Sequence, residues 1–299
     1  MYLGATTLKN ENLSQQQPVG SRKTVLITGC SSGIGARLVR SFLQQGWRVI
    51  ATMRKAQDRL ELFSDDIQQY GDNLIVENLD VASLSDRTAI VECIKHLQDP
   101  RLDCLVNNAG YALFGALENC SEEQLREQYD VNLLAPVLLT RAMLPFLRES
   151  KGSIINVSSV FSFVGFPMSS TYCSSKAGLS MLSECLKHEL EPFGVRVHVV
   201  EPGGFRTGFI SNGQWAENDI GDYQVQTEGL HKLQTKLSSG QGKDPGPVIS
   251  RIVSLASSDK GSFRNRVGRD AWVSQVFHKI LPDGIRLQFM GLMFRRMFQ

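Results

Sequence analysis

Tyr172 and Lys176 stand four residues apart in a stretch of helical spacing, so one helix face carries both a phenol and an ammonium. An ordinary tyrosine ionises near pH ~10, too high for efficient proton exchange near neutrality. A cation a few ångströms away favours the phenolate and lowers that value. The pair is therefore a workable acid/base, although alone it reads equally as a helix-surface contact. Here it has company. Ser158–Ser159 follow an apolar run, Ser153–Val157, and Ser159 precedes Tyr172 by 13 positions. Asn107–Asn108–Ala109–Gly110 closes an earlier run, Cys104–Asn107, in the same way. In open α/β sheets, ligands gather at the carboxyl ends of strands, where these residues would lie.

A second constellation lies near the start. Thr28–Gly29–Cys30–Ser31–Ser32–Gly33–Ile34–Gly35 links a β-branched run, Thr24–Thr28, to a helical pattern. Gly29 permits a tight turn, Gly33 lets backbone approach a pyrophosphate, and Gly35 lets helix and strand pack closely. The helix N-terminus then faces the phosphate charge. The spacing is GxxxGxG, not the common GxGxxG. At the end of the next run, Val49–Met53, a carboxylate would bind a ribose 2′-hydroxyl and repel a 2′-phosphate. This chain has Arg54 and Lys55 there instead. A guanidinium can fork two donors onto a phosphate, so NADP(H) is the expected cofactor, with NAD(H) left open. The plain alternative is a solvated basic pair.

The elements that must position these groups alternate along the chain. Short apolar runs recur at 24–28, 49–53, 74–78, 104–107, 153–157 and 195–200. Helical patterns fill the gaps near 34–45, 56–70, 84–97, 122–149 and 170–192. Ser121 with Gln124 forms a capping box. Such alternation predicts a single doubly wound α/β domain of the Rossmann type, its parallel sheet covered by helices on both faces. Residues 1–22 read as a mobile leader, 23–260 as the catalytic domain and 261–299 as a helical extension of it. Within the domain, 205–240 is weakly periodic and reads as a substrate lid. Helices are expected at 247–256, 271–281 and 285–298.

Composition excludes little and adds little. The chain has 299 residues and a formal charge of +2, which makes no general case for nucleic acid. Six cysteines lack any CxxC spacing and five histidines lack ligand spacing, so no metal is expected. The cysteines read as free thiols in a reducing, cytoplasmic compartment, and Cys173 as a small apolar filler. No apolar segment follows Met1 in the manner of a secretory signal. Val131–Leu147 is interrupted by Asn132, Pro136, Arg141 and Pro145 and reads as a buried helix.

Taken together, the pieces resemble the short-chain dehydrogenase/reductase family. The carriers are TGCSSGIG at 28–35, Asp80–Val81, NNAG at 107–110, Asn132, Ser159, YCSSK at 172–176, and Pro202–Gly203 with Thr207. Their order and spacing match over about residues 23–257. The resemblance implies hydride exchange between a nicotinamide and an alcohol or carbonyl carbon. It makes Tyr172 the proton donor or acceptor and Ser159 the partner of the substrate oxygen. It has Lys176 lower the Tyr172 pKa and bond the nicotinamide ribose, and Asn132 hold a water between Lys176 and solvent. It sets Asp80 and Val81 at the adenine, and Asn108, Ala109 and Gly110 on the adenosine side. Ser31, Ser32, Gly33 and Ile34 fall at the phosphates, Pro202 and Gly203 beside the nicotinamide, and Thr207 on its carboxamide. Plainer readings stay open for Asp80, as a helix N-terminal acid, and for Asn132, as a device fixing the bend near Pro136.

The tail, Phe263–Ala271 and Leu281–Pro282–Asp283, resembles the branch containing 17β-hydroxysteroid and retinol dehydrogenases. Aromatic residues at 161, 163, 166, 205, 209, 215 and 223 suggest a small hydrophobic substrate such as a steroid-, retinoid- or lipid-like ketone or aldehyde. The alternatives are a 3-oxoacyl-thioester reductase and, from another class, a non-catalytic NADPH-binding sensor. In this family the helices at 134–149 and 172–190 pair between subunits, which implies a homodimer or homotetramer. The last helix is expected to pack on the pocket or on a partner rather than on a membrane, with peripheral membrane contact as the alternative.

Overall fold

Every residue of β1 (Thr24–Thr28) is buried, as a strand covered on both faces must be. Val25 and Ile27 face one side of the sheet and Leu26 the other, the alternation that a strand imposes. The computed structural model describes residues 22–238 and 243–297. Of the expected leader, residues 1–21 lie outside that range, as does the end of the last expected helix at 298.

The chain then alternates as predicted: α1 (Gly33–Gln44), β2 (Arg48–Met53), a 3₁₀ stretch (Ala56–Phe63), α2 (Ser64–Tyr70), β3 (Leu74–Asn78), α3 (Leu84–Lys95) and β4 (Cys104–Asn107). After a two-residue strand β5 (Leu113–Phe114) come α4 (Glu122–Tyr129), α5 (Ala135–Ser150), β6 (Ser153–Val157), α6 (Ser170–Leu190) and β7 (Arg196–Pro202). The seven-stranded sheet runs β3-β2-β1-β4-β6-β7-β9 and is parallel throughout, with β9 spanning Arg264–Val267. α1 packs on one face with Leu38 and Phe42. α3 and α5 pack on the other with Ile90, Leu139 and Met143. The Ser121–Gln124 capping box is present at the start of α4.

Two parts differ from expectation. The lid segment is not featureless. It holds β8 (Gln214–Trp215), paired with β5, and α7 (Gln224–Ser238), whose Leu230 is buried. Its sparse apolar residues, among Gln, Thr and Lys, give a helix only once the protein supplies a surface to cover. The C-terminal extension is not only helical. After α8 (Gly246–Ser257), the polar run Arg264–Val267 completes the sheet as β9, beside β7, before α9 (Arg269–Ile280) and α10 (Asp283–Met297). Arg264 and Arg266 bring two charges into this strand. They are accommodated because both meet the buried carboxylate of Glu201 on β7.

The 29-residue helical run Glu122–Ser150 is long and apolar enough to cross a membrane. Its Leu139, Met143 and Leu147 lie in the core instead, in keeping with the buried-helix reading.

Candidate active site

The glycine turn works by contact distance. Gly29 and Gly33 have φ of 72° and 58°, the left-handed region that favours glycine. A Cβ on Gly33 would collide with the Thr207 carbonyl oxygen, and one on Gly35 with that of Gly29. The loop after β7 therefore lies directly on the turn after β1. Thr28 fixes the neighbouring strand end, its Oγ1 accepting from the backbone of Asn108 at 3.0 Å and of Ala109 at 2.9 Å. Asn108 donates back to the carbonyls of Thr28 and Gly29.

These strand ends open on a cleft of about 500 Å³. Gly29, Ser31, Ser32, Gly33, Ile34, Arg54, Asp80, Val81, Asn108, Ala109, Gly110 and Thr207, all expected from sequence, line it. Asp80 is not a first-turn helix acid. That place belongs to Asp86, under the Ser83 cap, while Asp80 lies before the helix and accepts from Ala82 N at 3.0 Å. Six residues expected at the cofactor do not line the cleft, Tyr172 and Lys176 among them. Lys55 sits exposed in a left-handed turn with its backbone donating to Asn78 Oδ1 at 2.7 Å. Gly35 is buried under the turn as a packing residue. Pro202 ends β7 in the ladder with β9, and Gly203 follows it, donating to the Val267 carbonyl, where the Asp270 carboxylate would crowd a Cβ.

Phe209, expected on the substrate side, also lines the cleft, as do Arg59, Tyr111, Glu127, Asn212 and Gln214, which were not expected as individual residues. Tyr111 follows the NNAG motif directly, which was the available signal. Arg59 comes from the 3₁₀ stretch after β2, and only the fold brings it beside Arg54. The Tyr111 hydroxyl is buried without a hydrogen-bond partner among the described residues. Burial pushes its pKa upward, and Arg54 works against that shift. A wall of backbone that admits no Cβ, two guanidiniums and an orphaned hydroxyl suit a polyphosphorylated ligand such as a nicotinamide dinucleotide.

Deeper in, the four acid/base candidates come together at the start of α6. A π-helical turn, Asp130–Leu134, separates α4 from α5 and carries the fully buried Asn132. Asn132 clamps both backbone groups of Tyr111, accepting from its N–H at 3.1 Å and donating to its carbonyl at 2.8 Å. It also donates to Ser175 Oγ at 3.3 Å. A Cβ on Gly110 would meet Asn132 Oδ1 at 3.0 Å and Lys176 Nζ at 3.3 Å, so these groups converge behind the NNAG backbone. Lys176 Nζ donates to the Val157 carbonyl at 3.0 Å. Burial lowers its pKa to about 8.

Tyr172 is also buried, and burial pushes its phenol above the ordinary value, while a hydrogen bond with Ser159 pulls the other way. The lowering expected from Lys176 is thus not the dominant effect, because the ammonium is directed to the Val157 carbonyl and both groups are desolvated. Ser159 Oγ accepts from Phe161 N at 3.2 Å, which holds it at the strand end. Asn107 supports the central strand, donating to Asn156 Oδ1 at 2.8 Å and Thr140 Oγ1 at 3.1 Å.

Aromatic rings enclose the phenol. Phe209, which lines the cleft, lies 5.4 Å from Tyr172 between centroids, and Phe161 lies 6.4 Å away, edge-on. Phe166, Phe114 and Trp215 extend the cluster, and Phe294 of α10 meets Phe166 edge-on at 5.3 Å. No residue of α10 is fully buried, and Phe294 packs against this cluster. Cys173 is buried, and its thiol is pushed up by burial, which fits a filler. Among the described residues no His/Cys/Asp/Glu group could hold a metal ion.

Comparison with known proteins agrees with this architecture. Residues 23–217 match the family described as short chain dehydrogenase. A mitochondrial D-beta-hydroxybutyrate dehydrogenase of Bos taurus is 34% identical over 255 residues, covering 79% of this chain and 73% of its own. A crystal structure of a short-chain dehydrogenase from Streptomyces avermitilis superposes with a TM-score of 0.76 at 32% identity, covering 91% of this chain and 96% of that one. A closed form of serine dehydrogenase complexed with NADP+ superposes with a TM-score of 0.68 at 30% identity, covering 82% and 94%.

Proposed function

The chain belongs to the short-chain dehydrogenase family and is an oxidoreductase, and on that premise we propose that it transfers a hydride between NADP(H) and a hydrophobic alcohol or carbonyl compound. The observation that carries this reading is a continuous cleft. It runs from the Gly29–Gly35 turn, past Arg54 and Arg59, to Phe209 in contact with Tyr172. When bound, the nicotinamide supplies or accepts the hydride. The backbone at Ser31–Ile34 would hold the pyrophosphate, and Arg54 with Arg59 the 2′-phosphate. No carboxylate ends β2 to repel that phosphate. The NADP+ named with the 30% identical serine dehydrogenase supports the same preference. Asp80 and Val81 would take the adenine side, and Thr207 the carboxamide.

Tyr172 would give its proton to the substrate oxygen in reduction and take it back in oxidation. Ser159, bonded to the phenol, would donate to the same oxygen as charge develops. Lys176 would hold the ribose, with Gly110 and Asn132 fixing its place. The ring cluster around Tyr172 supports an apolar substrate, since burying flat apolar surface there is favourable.

The test is kinetic. NADPH consumption would be measured against steroid, retinoid, acyl and small aromatic carbonyls, then repeated with NADH. Wild-type protein should favour NADPH, and Arg54→Ala should erode that preference by about tenfold, the worth of one charge-assisted contact. Equal kcat/KM with the two cofactors would overturn the preference. Turnover confined to carrier-linked 3-oxoacyl thioesters would point to a 3-oxoacyl-thioester reductase. NADPH binding without oxidation over the whole panel would point to a sensor.

The same reading takes in a homodimer or homotetramer, supported by exposed Leu134 and Leu138 beside and on α5. Light scattering that found only monomer would remove it. The six free thiols support a reducing, cytoplasmic setting.

A further inference from the structure

A second cavity, of about 300 Å³, shares no lining residue with the large cleft. Phe163 and Met181 form its apolar walls, and Arg264, Arg266, His278 and Lys279 bring charge to it. Phe163, one of the rings expected to set substrate choice, lies here and not in the cluster around Tyr172, and the other side chains have no part in the catalytic reading.

The arginines are held in place from behind. Glu201, fully buried on β7, stands 2.9 Å from Arg264 Nη1 and 3.1 Å from Arg266 Nε. Arg264 reaches Glu184 with its other arm at 2.7 Å. Arg266 differs. Its side chain is 18% exposed and its guanidinium lies 5.2 Å from the centre of the Phe163 ring, and its Nε, although 3.1 Å from Glu201 Oε2, makes no hydrogen bond among the described residues. Lys279 has no ion-pair partner among them. A fixed, largely buried guanidinium fork is suited to a planar anion.

The charge count selects the kind of anion. Arg264, Arg266 and Lys279 contribute three positive charges, and Glu184 and Glu201 cancel two. The nearby Arg286 is paired with Asp283 at 2.7 Å. His278, whose ring meets Phe163 edge-on, is pushed toward its neutral form by burial, Arg286 and Arg266, with Asp283 opposing. One net positive charge remains, which fits a monoanion better than a phosphate dianion.

We propose that this cavity binds an amphiphilic monocarboxylate, with its carboxylate on the Arg266 fork and Lys279 and its apolar body along Phe163 and Met181. The site is independent of the catalytic reading but close to its parts. Ser162, on the same wall, donates to Glu201 Oε1 at 3.2 Å and lies on the turn that begins at Ser159. Ala177, on the opposite wall, follows Lys176. An occupant would therefore brace the Ser159 turn against α6.

The test is calorimetry on the full chain with octanoate as probe, run with and without NADPH. Octanol and inorganic phosphate serve as comparators. Octanoate should bind in both conditions, and octanol and phosphate at least about tenfold more weakly. Arg266→Lys keeps a charge against Glu201 but loses the fork, and should weaken octanoate about tenfold. Lys279→Glu should weaken it further and leave carbonyl turnover without octanoate unchanged. The proposal fails if octanoate does not bind, if octanol or phosphate binds as well, or if NADPH displaces octanoate. It fails also if Lys279→Glu binds octanoate like wild type, which decides the matter even where Arg266→Lys does not fold.

Discussion

At the N-terminus of α1 the cleft wall is backbone. Gly29, Gly33 and Gly35 bring main chain to within contact of Ala109, Thr207 and each other, and a single added Cβ would collide. At the other end, around Tyr172, the wall is side chain. Phe114, Phe161 with Phe166, Phe209 with Trp215, and Phe294 come from four separate stretches between β5 and α10 and meet in one cluster. The first wall tolerates no change but needs only a local motif. The second can be altered ring by ring but exists only when distant segments meet. A cofactor end of the first kind and a substrate end of the second would let one scaffold keep its coenzyme while its substrate varies.

Four measurements would break or sharpen that contrast. The largest effect is expected where the two ends join. Tyr172→Phe should keep NADPH affinity and lose about a hundredfold or more in kcat, the usual worth of a positioned acid/base. A variant retaining more than about a tenth of wild-type turnover would take Tyr172 out of that role. Gly33→Ala comes next. It meets the Thr207 carbonyl and a left-handed backbone that alone costs about 1–2 kcal/mol, so both thermal stability and NADPH binding should fall. Unchanged cofactor affinity, read by titration of NADPH fluorescence, would show that the turn is only a turn.

Phe209→Ala should act differently. It should raise KM for a bulky carbonyl by up to about tenfold while NADPH affinity stays within about twofold, because only packing against the substrate is lost. A matching loss of NADPH affinity would erase the division between the two ends. The smallest effect is a pH limb. Burial holds the Lys176 pKa at about 8, below the ordinary lysine value, so the ammonium persists at lower pH and is lost as pH rises through that point. The kcat/KM of the free enzyme should therefore decline above roughly pH 8, and Lys176→Arg should move the limb upward. A flat profile to pH ~10 would show that Lys176 charge does not matter there.

Membrane contact through the last helix is a separate matter, raised by the exposure of Ile285, Leu287, Phe289 and Leu292 on α10. Liposome flotation of the full chain against a chain ending at Asp283 would distinguish it, and equal behaviour would argue against it.

Where the sequence fell short, the cause is specific. Arg264–Val267 is polar because its arginines serve the buried Glu201, so no hydrophobic pattern marked it as a strand. Residues 224–238 carry too few apolar side chains for a clear period, because the helix covers the pocket with little more than Leu230 buried. Lys55 follows Arg54 directly in the sequence, but a left-handed turn leaves it outside the cleft.

The amino-acid sequence by itself determined the order of strands and helices, the glycine turn and the identity of the four acid/base candidates. Each of these depends on short-range sterics, on periodic burial or on spacing within one element. The tertiary structure alone decided that Arg59 joins Arg54, that the Tyr111 hydroxyl is left without a partner, and that Lys176 turns to the Val157 carbonyl. It alone decided that burial, not the neighbouring ammonium, dominates the Tyr172 phenol. Desolvation and long-range juxtaposition depend on what surrounds a residue in space, and no spacing along the chain encodes that.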